Sequence, residues 1–238
     1  MTPPTGAARH EEAARALVEA ARAMGPLGIN QGKSGNVSVR VADGFLVTPS
    51  GVPYDDLTPA MAVHMDLDGT YAGELLPSSE WRMHLAIYRE RPQAGAVVHT
   101  HATFCTALAC QSLPIPAFHY MVAAAGGTRI DCAPYATFGT AALSDAMMAA
   151  LPEGRRACLL AHHGMICFDA TLRKALDLAV EVEALARQYW HARMLGEPPV
   201  LPEAEMAEVL RRFATYGRQP HELAPGTPQA LEFPPRRG

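Results

Sequence analysis

Two spacings of apolar residues alternate along this chain. From His10 to Met24 they recur every three to four positions among Ala, Glu and Arg until GPLG closes the run, which predicts an opening helix. The spacing then shortens to two. VSVRV and FLVT, separated by the turn sequence ADG, predict a β-hairpin flanked by glycine-bearing loops, and AVHMDLDGTYAG predicts a further strand and turn. Pro77-Ser78-Ser79-Glu80 next opens an amphipathic helix, SSEWRMHLAIYRERP, which Pro92 terminates.

The second half repeats the alternation. AGAVVHTH reads as a strand, ATFCTALACQ as a helix, and RACLLAHHGMICF as an apolar strand running into histidines and a glycine. A long helix from Thr171 to about Leu195 and a shorter one from Glu203 to Phe213 follow. Because short turns join several neighbouring strands, the expected fold is α/β with a central, mainly antiparallel (mixed) β-sheet flanked by helices, not a doubly wound parallel sheet. There is no internal repeat. A single domain over residues 1–217 and a flexible, proline-rich tail over 218–238 are expected.

Candidate chemistry begins in AVVHTHATF. Side chains at i and i+2 of a strand share a face about 7 Å apart along the backbone, so His99 and His101 are placed as two ligands of one ion. A catalytic zinc site needs three protein ligands and an open position. LLAHHG supplies the third imidazole, from either His162 or His163, which point to opposite faces of an extended strand; spacing alone leaves both open. Glu80 stands near a helix start, where the macrodipole favours a carboxylate, and the serines before it with the free N–H groups of the first turn form an anion site. Gly35-Asn36 and Ser50-Gly51 lie in loops whose small residues let backbone amides approach an oxyanion.

Composition narrows the function. The 238-residue chain, 49% hydrophobic, can bury a continuous core. A net charge of -4, with 18% charged residues and no basic run, argues against nucleic acid. No window reaches the roughly 18 uninterrupted apolar residues of a membrane span, and the N-terminus carries no charged leader ahead of an apolar core, so a cytoplasmic location is expected. Five cysteines without CxxC spacing exclude a disulfide framework and a thiolate metal knuckle. Lysine occurs only at Lys33 and Lys174, which leaves few amines for Schiff-base chemistry.

In order along the chain, NQGKSGNVSVR, TPSGVPYDDL, LPSSEWRMHLAIY, AVVHTHA, FHYMVAAAGG, CAPYATFGT and HHGMI closely resemble the class II aldolase/adducin superfamily, from about Leu17 to Gly217. The resemblance implies a zinc-dependent enzyme that splits a ketose 1-phosphate, such as L-fuculose 1-phosphate, into dihydroxyacetone phosphate and a short aldehyde through a metal-stabilised enediolate. It implies a four-fold homotetramer with active sites at subunit interfaces. By motif position His99, His101 and His163 are the zinc histidines, and Glu80 is the acid/base that also touches the metal. Gly35, Asn36, Ser50, Gly51, Ser78 and Ser79 match positions that hold the phosphate and enediolate. Tyr120 matches a tyrosine reaching the neighbouring subunit's site, and Tyr216 one near the aldehyde. Lys33 departs from the family pattern: it is either a charge partner for phosphate or a loop-surface residue.

Overall fold

The computed structural model describes residues 6–224, 226–228 and 230–231. Helix α1 (Gly6–Ala23) precedes the hairpin β1 (Asn36–Val41) and β2 (Gly44–Val47), in which Val41 faces Gly44 across the Ala42-Asp43 turn. Strands β3 (Val63–Met65) and β4 (Tyr71–Ala72) extend it, helix α2 (Trp81–Glu90) follows, and β5 (Ala96–Thr100) returns through the middle of the molecule. Helix α3 (Thr103–Ala109), β6 (Cys132–Ala133), α4 (Ala141–Ala149), β7 (Ala157–Leu160), β8 (Gly164–Asp169), α5 (Leu172–Met194) and α6 (Glu203–Phe213) complete the order.

The strands form one eight-stranded sheet in the order β4-β3-β2-β1-β5-β8-β7-β6. Every pairing within it is antiparallel except β6 with β7, so the sheet is mixed and mainly antiparallel, as the short turns predict. Two elements differ from the sequence reading. Helix α4 was not expected; Thr140 caps it, its hydroxyl accepting the Leu143 N–H. The stretch LLAHHGMICF is not one strand but two, β7 and β8, joined by a tight turn at Ala161-His162-His163 in which His162 adopts φ 55°. The alternation rule for His162 and His163 therefore does not apply, because neither lies in a strand.

Each sheet face carries its own core. Val37, Val98, Leu159 and Met165 pack with Leu17, Val182 and Leu185 beneath α1, α3 and α5. Phe45, Val47, Val97 and Ile166 pack with Met83, Ile87, Leu143 and Met147 beneath α2 and α4. Strand β1 alternates between them: Val37 and Val39 join the first core, while Asn36, Ser38 and Arg40 turn polar atoms toward α2. Part of the predicted tail is visible. Its Ala230 N–H donates to Thr215 Oγ1 at 2.9 Å, and Leu231 lines a cavity with Phe213 and Tyr216; residues 225, 229 and 232–238 lie outside the described residues.

Gly164 is set by close approach. A Cβ there would stand 2.4 Å from the Thr100 carbonyl oxygen and 3.1 Å from His101 Cδ2, both beside the histidine cluster. Gly164→Ala is expected to cost about 1–3 kcal/mol, the usual range for overpacking, and to lower Tm by several degrees. Divalent-metal affinity should fall with it, because β8 must move away from His101; a thermal melt with a zinc titration checks both.

Candidate metal centre and active site

The end of β5 and the β7–β8 turn bring three imidazoles to one point. His99 is the fourth residue of β5, His101 lies just past its end, and His163 precedes the first residue of β8. Their ring centroids are 5.1, 4.8 and 4.9 Å apart, a nearly equilateral triangle. Glu80 enters from the start of α2: Oε2 is 3.0 Å from His99 Nε2 and Oε1 is 3.0 Å from His163 Nε2. One ligand atom from each of the four residues fits within 4.8 Å of the others.

The donor set suits a cation. His99 Nδ1 lies 2.8 Å from the Met165 carbonyl oxygen, which can only accept, so the proton of the neutral ring sits on Nδ1 and the lone pair on Nε2 points inward. That Nε2 faces His101 Nε2 at 3.2 Å and a carboxylate oxygen at 3.0 Å. Glu80 Oε1 is buried, with His163 Nε2 at 3.0 Å but no well-directed hydrogen bond in the ion's place. Converging lone pairs repel unless a positive charge sits among them. Burial alone would raise the Glu80 carboxyl; positive charge among the imidazoles, carried by protons at His99 and His163 where an ion would otherwise supply it, more than offsets that and holds the group far below the usual carboxylate range. His101 is pushed down to about 4, first by burial and then by charge on His99 and His163, so its ring is neutral and free to act as a ligand.

A cavity of about 260 Å³ opens onto this cluster, lined by Glu80, His101 and His163 together with Ser34, Ser79 and Tyr135. Ser78 is buried behind it; its Oγ accepts the Glu80 N–H at 3.3 Å, and its own N–H donates to the Thr48 carbonyl at 3.0 Å. Gly35 lets its loop lie against β5, since a Cβ would stand 2.6 Å from the His99 carbonyl oxygen. Ser50 and Gly51 are exposed, with Gly51 at φ 76°, and Lys33 Nζ donates to the Gly51 carbonyl at 2.8 Å, tying the two loops together. Asn36 is buried instead of facing the cavity: its Nδ2 donates to Glu80 Oε2 at 2.9 Å.

Residues 15–190, which include the cluster and its loops, match the Class II Aldolase and Adducin N-terminal domain. The chain belongs to the class II aldolase and adducin family. It is 57% identical over 201 residues to a 5-methylthioribulose-1-phosphate/5-deoxyribulose-1-phosphate aldolase of Rhodospirillum rubrum, covering 84% of this chain and 90% of that one. To an L-fuculose phosphate aldolase of Escherichia coli it is 52% identical over 205 residues, 86% of this chain and 95% of that one. A solved L-fuculose 1-phosphate aldolase superposes with a TM-score of 0.82 at 38% identity, covering 85% of this chain and 96% of that one. The protein is thus an enzyme of the class II aldolase type, a lyase acting with a metal. No helix among the described residues is long and apolar enough to cross a membrane.

Two predicted site residues fall elsewhere in this aldolase chain. Tyr120 and Tyr216, 49% and 57% exposed, line a second cavity with Phe118, His119 and Phe213, and neither lines the cavity at the histidines. Conversely, Tyr135 and Phe138 line the histidine cavity and are 62% and 65% exposed, although no sequence signal singled them out beyond their place in CAPYATFGT. Large exposed aromatics beside a polar cluster are detectable only once the loop is positioned. His162, the alternative ligand, lines the cavity rim but is absent from the four-residue group.

Proposed function

We propose that this aldolase cleaves a ketose 1-phosphate to dihydroxyacetone phosphate and a short aldehyde. The carrying observation is the cavity itself, which brings an ionised carboxylate and two converging imidazoles together with the hydroxyl residues Ser34 and Ser79 and the aromatics Tyr135 and Phe138. His99, His101, His163 and Glu80 would hold one zinc ion per subunit. When bound, zinc supplies a Lewis acid that draws charge onto the substrate's carbonyl oxygen, worth several kcal/mol.

Ser34, Ser79 and the Gly35 and Ser50-Gly51 loops hold the phosphate end, with Lys33 organising the loops through the Gly51 carbonyl. Tyr135 and Phe138 present an apolar surface to the far end, which suits a substrate ending in a methyl group. In cleavage the hydroxyl proton of the carbon that becomes the aldehyde leaves, the adjacent carbon–carbon bond breaks, and its electron pair passes toward the carbonyl. Glu80, ionised at rest, then passes a proton drawn from solvent to the carbon released, balancing the one the hydroxyl gave up and completing dihydroxyacetone phosphate. Tyr120 takes the hydroxyl proton at a neighbouring subunit's site in a four-fold homotetramer, and Tyr216 stands near the aldehyde. Their exposure in one subunit, with Leu76, Met194 and Leu195 also exposed, supports that assembly.

L-fuculose 1-phosphate and 5-deoxyribulose 1-phosphate are the two substrates proposed, the second favoured by the 57% identical relative. Incubating zinc-loaded protein with each and following dihydroxyacetone phosphate is expected to show release from at least one. Release from neither, with L-ribulose 5-phosphate epimerised instead, would replace the aldol reaction by another of the same superfamily.

A further inference from the structure

Strand β1 and helix α2 are joined by a line of buried polar side chains. The helix offers Glu80, His84 and Tyr88 at four-residue steps, a rise of about 6 Å; the strand offers Asn36, Ser38 and Arg40 at two-residue steps of about 6.8 Å. These spacings nearly match, so the two rows interdigitate. Asn36 sits between Glu80 and His84, with Nδ2 2.9 Å from Glu80 Oε2 and Oδ1 2.6 Å from His84 Nε2. Ser38 Oγ sits between His84 Nδ1 at 2.6 Å and the Tyr88 hydroxyl at 2.8 Å. The Arg40 guanidinium closes the outer end, 4.7 Å from the Tyr88 ring centroid. Asn36 is 3% exposed, and Ser38 and His84 are wholly buried.

Only one set of proton positions satisfies this line. An ionised carboxylate can only accept, so Asn36 must face Glu80 with its NH₂ and His84 with its oxygen. His84 Nε2 must then carry the proton, which leaves Nδ1 of the neutral ring as an acceptor. Ser38 must donate to Nδ1 and accept from the Tyr88 hydroxyl. Every donor therefore points toward Glu80.

We propose that Ser38 and His84 are positioning residues that fix the side-chain amide of Asn36 with its N–H groups toward Glu80, and so hold the carboxylate against His99 and His163. Loss of the Ser38 hydroxyl frees the His84 proton to move to Nδ1. The bare Nε2 then draws the Asn36 amide to turn over, which sets its oxygen against the carboxylate. The proposal rests on Glu80 being the acid/base and ion contact described above.

The test uses zinc-free, ¹⁵N-histidine-labelled protein near neutral pH, with His84→Gln identifying the His84 resonances in long-range ¹H–¹⁵N spectra. Wild-type His84 is expected to carry its proton on Nε2, and Ser38→Ala to shift it toward Nδ1. Zinc Kd for Ser38→Ala should rise about tenfold to a hundredfold, the usual cost of losing an outer partner of a metal site. The kcat for sugar phosphate cleavage should fall comparably while KM holds. His84→Gln, whose Nε2 amide can still donate to Asn36, should retain more zinc affinity than His84→Phe. A wild-type His84 protonated on Nδ1, or a folded Ser38→Ala with zinc affinity within twofold of wild type, overturns the proposal. The tautomer and zinc measurements need no substrate, so they still decide it if neither ketose 1-phosphate is cleaved, an outcome that counts against the function alone.

Discussion

His99→Ala is expected to leave the purified protein without stoichiometric zinc and without measurable turnover, whereas His162→Asn keeps most of its zinc. His99 is wholly buried, and its Nδ1 is committed to the Met165 carbonyl, so its Nε2 is aimed inward by the backbone of β8 itself. Removing it deletes a ligand and leaves Glu80 Oε2 beside an empty space. The loss should exceed the roughly 10–100-fold that removing an outer partner of a metal site costs. His162 is exposed in the turn at φ 55°, a conformation that asparagine tolerates better than alanine, so this variant removes the imidazole with little backbone strain. Metal analysis after dialysis against a weak chelator reads both. A zinc-retaining His99→Ala alongside a zinc-free His162→Asn would reverse the ligand choice.

The contrast between these two histidines shows what local pattern carries and what it does not. His99 and His101 were legible because the two-residue period of β5 fixes the face of His99 and carries on to His101, one residue past the strand's end. The same rule was silent on HHG because that segment is a turn between β7 and β8, where backbone dihedrals and not alternation aim the side chains. Motif resemblance supplied His163, and the geometry groups it with the other three.

NVSVRV shows a second limit. Alternation there predicts one apolar and one polar face, and a polar face ordinarily meets water. In the fold α2 covers it, so Asn36 and Ser38 are buried and bonded to Glu80, His84 and Tyr88. The information was present as two matching periods, Asn-x-Ser-x-Arg on the strand and Glu-x₃-His-x₃-Tyr on the helix. Neither period shows that the other lies opposite it; that follows only from how α2 packs on the sheet. Tyr120 marks a further boundary, since its proposed work lies at another subunit's site.

Glu80→Gln should keep the fold and the three imidazoles in place yet lose about 10²–10⁴-fold in kcat, the usual contribution of a positioned general acid or base. The amide has nearly the carboxylate's shape. Its oxygen can accept from Asn36 Nδ2, so the buried contact at 2.9 Å retains its partner. It cannot, however, take or give a proton at carbon. The partial reaction isolates that step: dihydroxyacetone phosphate alone, in deuterated water, should exchange a hydrogen next to its carbonyl on the wild-type protein and not on the variant. Zinc content measured on the same samples separates the two duties of the residue. A variant that holds zinc and exchanges at the wild-type rate would remove Glu80 as the base. A variant that has lost its zinc would instead show the carboxylate's charge to be needed for holding the ion, because three neutral imidazoles offer lone pairs but no negative charge to balance it.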